Sequence, residues 1–252
     1  MAGDELDDGL EYDLQLSEEE VEVDATPVKA PTKKRKTTDK FKQSKKLKME
    51  MDIELKKNIS IETSPDLIVE YLNGKIRRKN PDLSSLELSD LYFTKSEIRS
   101  SSDFTEVRNL PNLSDFITHR FKNMLPSKKN KQSEDAERKF IAIVSMSALR
   151  ACDVHRATKD LAGGSIKLIN KNKLDIDLKL VKSTNSRILC CTPGRLSKIL
   201  SNEDSQLSPE EIKIIIVDNS YLDSKKQNIW DIQETCPILK SLTKQGSKLY
   251  LY

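Results

Sequence analysis

The strongest constraint on the fold is an alternation of short apolar runs and amphipathic segments between residues 139 and 252. Helical spacing of apolar residues predicts helices over 147–162, over 172–182 and from Thr192 to Leu200. Five apolar runs are typical of buried strands: Phe140–Val144, Ile166–Ile169, Arg187–Cys191, Lys213–Val217 and Lys248–Tyr252. This order predicts an α/β fold over residues 139–252, with a mostly parallel sheet and helices on both faces.

The N-terminal part has a different composition. Residues 1–24 hold eleven acidic residues and no Lys or Arg, whereas residues 29–57 are rich in lysine. The whole chain is 33% charged and 36% hydrophobic, against about 25% and 45–50% in typical globular chains. Blocks of this kind bury too little apolar surface to offset the entropy lost on ordering. Residues 1–60 are therefore predicted to be a disordered tail, acidic first and then basic.

Residues 61–125 are predicted to be a helical accessory segment. Ser64-Pro65 is typical of a helix start, and Asn80-Pro81 of its end. A short amphipathic stretch follows over Leu83–Tyr92, and another helix begins at Leu110. The polar residues 126–138 are predicted to link this segment to the α/β domain.

Several functional classes find little support in the sequence. No apolar run approaches the length of about 18 residues that a membrane span needs, and the acidic N-terminus is unlike a secretory signal. The four cysteines show no CxxC spacing and there are two histidines, so neither a metal site nor a disulfide framework is predicted. Reduced thiols in the cytosol or nucleus are expected.

Ligands of open parallel sheets bind beyond the carboxyl ends of the strands. Three segments follow predicted strands there: residues 145–150, Thr192–Arg195 and 218–220. In the second, Thr192 can cap the next helix, Gly194 lets a phosphate approach the backbone amides, and Arg195 can add a charge-assisted bond. An ordinary strand-to-helix cap explains the same four residues equally well.

The order of these segments resembles the first RecA-like lobe of DEAD-box helicases. The resemblance rests on Thr192–Leu196, the Ser-Pro-Glu-Glu turn at 208–211 and the Ile215–Asp218 strand end. It implies that Thr192, Gly194 and Arg195 hold RNA phosphates. Ser147 and Arg150 lie where those helicases carry another backbone-contacting motif, which implies the same role for them.

The departures from the helicase pattern concern the nucleotide machinery. No G-x-x-x-x-G-K-[ST] loop is present to hold nucleotide phosphates, and the single Gly-Lys pair, Gly74-Lys75, lies in a helical region. Asp218 is followed by Asn219, so the acidic pair has lost its glutamate. We also expect no second helicase lobe. No catalytic residue, cofactor or ATP hydrolysis is predicted.

One family shares this set of departures. The sequence resembles, almost end to end, the helicase-like subunit of the earliest (90S) small-subunit pre-ribosome. Its marks are Glu5–Asp13, Leu83–Tyr92, Leu110–Phe116, Val144–Ala151, Thr192–Arg195 and Val217-Asp218. The resemblance implies a nucleolar, RNA-associated factor in small-subunit ribosome assembly and pre-rRNA processing. Its implied partners are pre-ribosomal RNA and proteins, with no membrane.

The basic cluster Lys33, Lys34, Arg35 and Lys36 is typical of a nuclear import signal or a nucleic-acid contact, although a solvated charge run has the same composition. Three other functions compete with an assembly factor. These are a weak RNA-dependent ATPase with a degenerate pocket, a pure protein scaffold without RNA contact, and a nucleotide-fold methyltransferase. The last expects a glycine-rich turn after the first strand, and residues 145–148 offer none.

Overall fold

The computed structural model describes residues 35–126 and 138–252. The acidic block at 1–24, the cluster residues Lys33 and Lys34, and most of the predicted linker lie outside the described residues. The described residues fall into two separate units, which contain residues 35–44 and 45–252 respectively. In the first unit, the described residues 35–44 are helical.

A five-stranded parallel sheet forms the centre of the second unit, with the strand order β2-β3-β1-β4-β5. Each strand lies within two residues of its predicted bounds. Their limits are β1 Phe140–Val144, β2 Ser165–Leu168, β3 Ile188–Cys191, β4 Ile212–Val217 and β5 Lys248–Leu251. All five residues of β1 are buried, because helices cover both faces of the sheet. The predicted fold class is therefore confirmed.

Eight helices surround or precede the sheet in the described residues. Their limits are α1 Arg35–Asn58, α2 Pro65–Lys79, α3 Ser85–Leu91, α4 Leu110–Phe121, α5 Ala148–Thr158, α6 Leu174–Ser183, α7 Pro193–Leu200 and α8 Thr235–Lys244. Helix α5 ends four residues before its predicted end. Short 3-10 turns lie at Ile59–Ile61, Lys122–Met124, Pro209–Glu211 and Ile229–Asp231.

Alternate residues of each strand pack on opposite faces of the sheet. In β1, Ala142 contributes to a core with α2, α3, α6, α7 and α8, whereas Ile143 contributes to a core with α4 and α5. The residues 61–125, predicted as an accessory segment, therefore supply helices to both cores. Ile98 also bridges Leu249 at the outer edge of β5. This segment is an integral part of the α/β domain.

The prediction of disorder up to residue 60 is wrong for the end of α1. Lys56 is 5% exposed, and its ammonium group lies 2.8 Å from Asp52 and 3.5 Å from Asp231. It also donates to the backbone carbonyl of Lys226 at 2.9 Å. Asp52, inside the basic block, and Asp231, far outside it, thus neutralise a buried lysine. The excess of lysine in the block does not reveal either contact.

Candidate functional site at the carboxyl edge of the sheet

Parallel strand pairing brings the three predicted segments to one edge of the sheet. Val144 pairs with Cys191 on one side and with Val217 on the other, so the residues that follow them are neighbours. Ser147 caps α5 by accepting a hydrogen bond from the backbone amide of Arg150 at 3.2 Å. This placement at the carboxyl edge agrees with the sequence prediction.

The two charged side chains at the centre of this edge bind each other. The Arg150 Nε donates to Asp218 Oδ2 at 2.7 Å, and its Nη2 donates to Oδ1 at 3.0 Å. Arg150 is 9% exposed and Asp218 is 3% exposed. Burial disfavours the charged guanidinium, but the hydrogen bonds and charge of Asp218 more than offset this and raise the pKa of Arg150. The Asp218 carboxylate is thereby neutralised within the protein.

Asn219, the residue after Asp218, holds several segments together. It is fully buried, and its amide nitrogen donates to the Lys56 carbonyl and to the Ser60 hydroxyl oxygen, both at 2.7 Å. Its amide oxygen accepts from Trp230 Nε1 at 2.7 Å and from the side chain of Asn228 at 3.3 Å. A carboxylate has no N–H donors, so it cannot make the bond to the Lys56 carbonyl.

The Thr192–Arg195 turn differs from its predicted geometry at Thr192. The hydroxyl of Thr192 makes no cap to α7 and is buried without a hydrogen-bond partner among the described residues. The predicted cap is therefore wrong. A Cβ on Gly194 would meet the Glu234 carboxylate oxygen at 3.8 Å, so a methyl group fits here and an acidic side chain lies close to where a phosphate was predicted.

Arg195 is turned into the protein. It is 4% exposed, and its Nη2 donates to the backbone carbonyls of Ile169, at 2.8 Å, and of Asn172. Its Nε lies 3.0 Å from the Asp177 carboxylate, although neither atom of this contact has hydrogen-bond geometry. The contact is therefore an electrostatic one. Binding of an RNA phosphate by Arg195 stays a prediction, and it requires these internal bonds to be exchanged.

A cleft with basic side chains lies beside the Arg150–Asp218 pair, and sequence reasoning missed it. Its volume is about 430 Å³. We call it the basic cleft. Its lining residues are Ile53, Lys57, Arg108, Asn109, Leu110, Arg150, Ser220, Tyr221, Leu222 and Lys226. None of them is acidic. Arg108 precedes α4 and Lys226 lies in a loop after β4, so no local motif marks them.

Arg108 has two buried guanidinium nitrogens that make no hydrogen bond with the described residues. Its Nη2 donates to the Ser101 carbonyl at 2.6 Å, but its Nε and Nη1 are buried without a hydrogen-bond partner among the described residues. Its guanidinium lies 4.9 Å from the centre of the Phe104 ring and 5.7 Å from that of Tyr252. Burial lowers the pKa of Arg108.

The part of the chain that the structure describes offers no residues for a metal site or a membrane span. No group of three His, Cys, Asp or Glu side chains there is placed to hold a metal ion. Within the same ranges, no helix has the length and apolar character needed to cross a membrane. The four cysteines are free, and burial raises the pKa of Cys190 and of Cys236 to about 11.

Comparison with known proteins supplies the family. The model of the CMS1 family, described as the U3-containing 90S pre-ribosomal complex subunit, matches residues 15–249. The chain belongs to this family. It is 35% identical over 209 residues to Protein CMS1 of Saccharomyces cerevisiae, an alignment that covers 75% of this chain and 66% of the relative. It is 34% identical over 235 residues to Protein CMS1 of Chaetomium thermophilum, covering 86% of this chain and 91% of the relative.

A third relative extends the comparison. Protein cms1 of Schizosaccharomyces pombe is 30% identical over 211 residues, which covers 77% of this chain and 72% of the relative. The alignment with the Saccharomyces relative spans just under two thirds of that protein's length. The family match covers the described α/β domain up to residue 249 and reaches into the acidic N-terminal block.

Proposed function

We propose that this protein is a non-catalytic assembly factor of the small-subunit pre-ribosome, which binds pre-ribosomal RNA and proteins in the nucleolus. Membership of the family of 90S pre-ribosomal complex subunits supports a role in ribosome assembly. Its relatives in three fungi carry the name of the same family. The α/β domain, in this proposal, is a helicase-like lobe that has lost its nucleotide machinery.

The observation that carries the non-catalytic part is the Arg150–Asp218 ion pair. In a helicase-like lobe, the aspartate at the end of this strand would help to hold the magnesium ion of ATP. Here both carboxylate oxygens accept hydrogen bonds from one guanidinium. Asn219, at the position of the missing glutamate, supplies N–H donors that a carboxylate does not have.

A turnover assay tests this proposal. The purified full-length chain should show no ATP hydrolysis above background, with or without single-stranded RNA. The Asp218→Asn variant serves as the control, because any true activity of this site depends on that carboxylate. RNA-stimulated turnover that Asp218→Asn abolishes would support the alternative, a weak RNA-dependent ATPase.

The assembly role has its own test. The tagged chain should sediment with small-subunit pre-ribosomes, and its depletion should cause unprocessed pre-rRNA to accumulate. Entry into the nucleus is assigned to the basic cluster Lys33, Lys34, Arg35 and Lys36, through a nuclear import receptor. Sedimentation at the position of the free protein would contradict the assembly role.

A pure protein scaffold without RNA contact is the second candidate function. The internal bonds of Arg195 favour it, because the side chain predicted to hold RNA is committed to Asp177 and two backbone carbonyls. Crosslinking in cells separates the two candidates. An RNA-binding factor yields crosslinked RNA peptides, whereas a scaffold yields crosslinks to proteins alone.

A further inference from the structure

The basic cleft holds four cationic side chains, of which one has an acidic partner. Arg150 is neutralised by Asp218, whereas Lys57 and Lys226 are exposed and make no ion pair with the described residues. Arg108 has two nitrogens without hydrogen-bond partners there. Asp103 acts on Arg108 from nearby but forms no ion pair with it. A cluster with so few acidic partners is stabilised by an anion, because the cations repel each other when it is empty.

Lys226, which lines this cleft, is held in an unfavourable backbone conformation. Its φ of 62° lies in the left-handed region, where it is the single non-glycine residue among those described. Side chains with a Cβ lose about 1–2 kcal/mol there. The Lys56 ammonium group binds the Lys226 carbonyl at 2.9 Å, and the Lys226 amide donates to the Asp223 carbonyl at 3.0 Å. Strain that neighbouring bonds maintain is typical of functional positions.

Tyr221 adds an aromatic ring to the cationic cleft. Its ring centre lies 4.4 Å from the Arg150 guanidinium carbon, and the residue is half-buried in the cleft wall. Aromatic rings beside cationic side chains are the usual means of binding single-stranded nucleic acids, because bases stack on the ring while phosphates meet the cations. A site for inorganic phosphate alone has no need of the ring.

We propose that the basic cleft binds the backbone of single-stranded RNA, with phosphates on Lys57, Arg108 and Lys226 and a base on Tyr221. The proposal rests on the RNA-binding part of the proposed function and moves the contact away from Arg195. The cleft is continuous with α1, whose lysines at 45, 46 and 48 are exposed along the same helix as Lys57. A chain of phosphates can follow such a series of cations.

Fluorescence anisotropy of a labelled oligouridylate with the full-length chain tests the cleft. We expect the double variant Lys57→Gln/Lys226→Gly to bind about 25-fold more weakly at 0.1 M salt. The slope of log K against log salt should become less steep by about 1.4, since each lost phosphate contact removes about 0.7. Glycine at 226 relieves the left-handed backbone, so this substitution does not threaten folding.

Two further variants sharpen the assay. Lys244→Gln removes an exposed lysine at the end of α8, outside the cleft, and should leave affinity and slope unchanged. Tyr221→Leu should weaken the binding of RNA by about 5- to 150-fold, the range for loss of one stacked base. The same variant should bind inorganic polyphosphate as well as the wild-type chain does, because polyphosphate has no bases.

The outcomes separate the cleft from the proposed function. Equal RNA binding by the wild-type chain and the double variant would show that the basic cleft is not the RNA-binding site. The proposal that the protein binds RNA would still stand. Absence of RNA binding by the wild-type chain would contradict both RNA binding by the protein and RNA binding in the cleft. Sedimentation with pre-ribosomes would still test the assembly role. If ATP displaces the RNA at a concentration equal to that of the RNA, the cleft is a site for a mononucleotide and the proposal is overturned. If a peptide of residues 1–24 binds more tightly than the RNA and displaces it, the cleft is a site for an acidic segment and the proposal is likewise overturned.

Discussion

The Arg150 guanidinium and the Asp218 carboxylate form a buried ion pair with two hydrogen bonds, 68 residues apart in the sequence. The pair joins the first turn of α5 to the end of β4, at the centre of the carboxyl edge of the sheet. It gives a structural use to a carboxylate that the helicase resemblance would assign to metal binding. The first prediction concerns this pair.

Removal of one partner should destabilise the fold more than removal of both. Arg150→Met leaves the Asp218 charge buried and unpaired, with an expected loss of about 3–5 kcal/mol in the free energy of unfolding. Arg150→Met/Asp218→Leu should be closer to the wild type, because no buried charge remains. Urea denaturation of both single variants and the double variant gives the coupling energy. Additive losses would show that the pair has no structural role.

An acidic residue at position 219, next to Asp218, should not produce an active ATPase. Asn219→Asp places a carboxylate oxygen against the Lys56 carbonyl, where the native amide donates at 2.7 Å. We expect a loss of about 1–3 kcal/mol, the penalty for an unsatisfied buried acceptor, and no ATP turnover. Thermal denaturation and a turnover assay measure the two effects. Asn202→Asp is the matched control. The Asn202 side-chain oxygen accepts a hydrogen bond from the backbone amide of Asp204, and an aspartate at 202 preserves that bond.

Glu97 should make stability depend on pH. Burial disfavours its charged form, but bonds from Lys240 at 2.8 and 2.9 Å and from Thr243 at 2.8 Å prevail and lower its pKa below the ordinary 4.5. A lowered pKa in the folded state contributes stability that is present above pH 4.5 and is lost as the pH falls through the folded value. The difference in unfolding free energy between the wild type and Glu97→Gln should therefore shrink from pH 5 to pH 3.

The measurement is urea denaturation of both chains across this range. At pH 7 we expect Glu97→Gln to be less stable by about 2 kcal/mol, since hydrogen bonds from a charged partner are weakened. Glu203→Gln, an exposed substitution, is the control and should track the wild type at every pH. A constant difference between the wild type and Glu97→Gln across the range would mean that the Glu97 carboxylate has no linkage to folding.

The basic cluster should direct the chain to the nucleus. Replacement of Lys33, Lys34, Arg35 and Lys36 by alanine should abolish nuclear accumulation of a fluorescently tagged full-length chain. Lys45→Ala/Lys46→Ala changes exposed lysines farther along the chain and should leave localisation intact. Equal nuclear accumulation of both variants would remove the import role from the cluster.

The strands and their burial could be predicted from the sequence, because apolar runs such as Phe140–Val144 carry the signal locally. The placement of Ser147, Thr192 and Asp218 at one edge follows from parallel strands alone. Their partners could not be predicted in this way. The Arg150–Asp218 and Arg195–Asp177 contacts join residues that are distant in the chain, and Arg108 and Lys226 line the same cleft only because of tertiary packing.

The docked end of α1 shows a different limit of sequence reasoning. The block at 29–57 has an excess of lysine, which predicts a solvated tail. Yet Asp52 lies four residues before Lys56 and forms an ion pair with it at 2.8 Å. That spacing on a helix is a visible signal. The contacts of Lys56 with Asp231 and with the Lys226 carbonyl are not visible in the sequence.

We propose that this domain has no magnesium-dependent nucleotide chemistry. Calorimetric titration of the full-length chain with ATP, with and without magnesium, tests it most directly. We predict no magnesium-dependent binding. Any weak phosphate contact in the basic cleft should need no magnesium and should persist in Asp218→Asn, which leaves the Arg150 guanidinium without its acidic partner. Magnesium-dependent ATP binding that disappears in Asp218→Asn would contradict the claim.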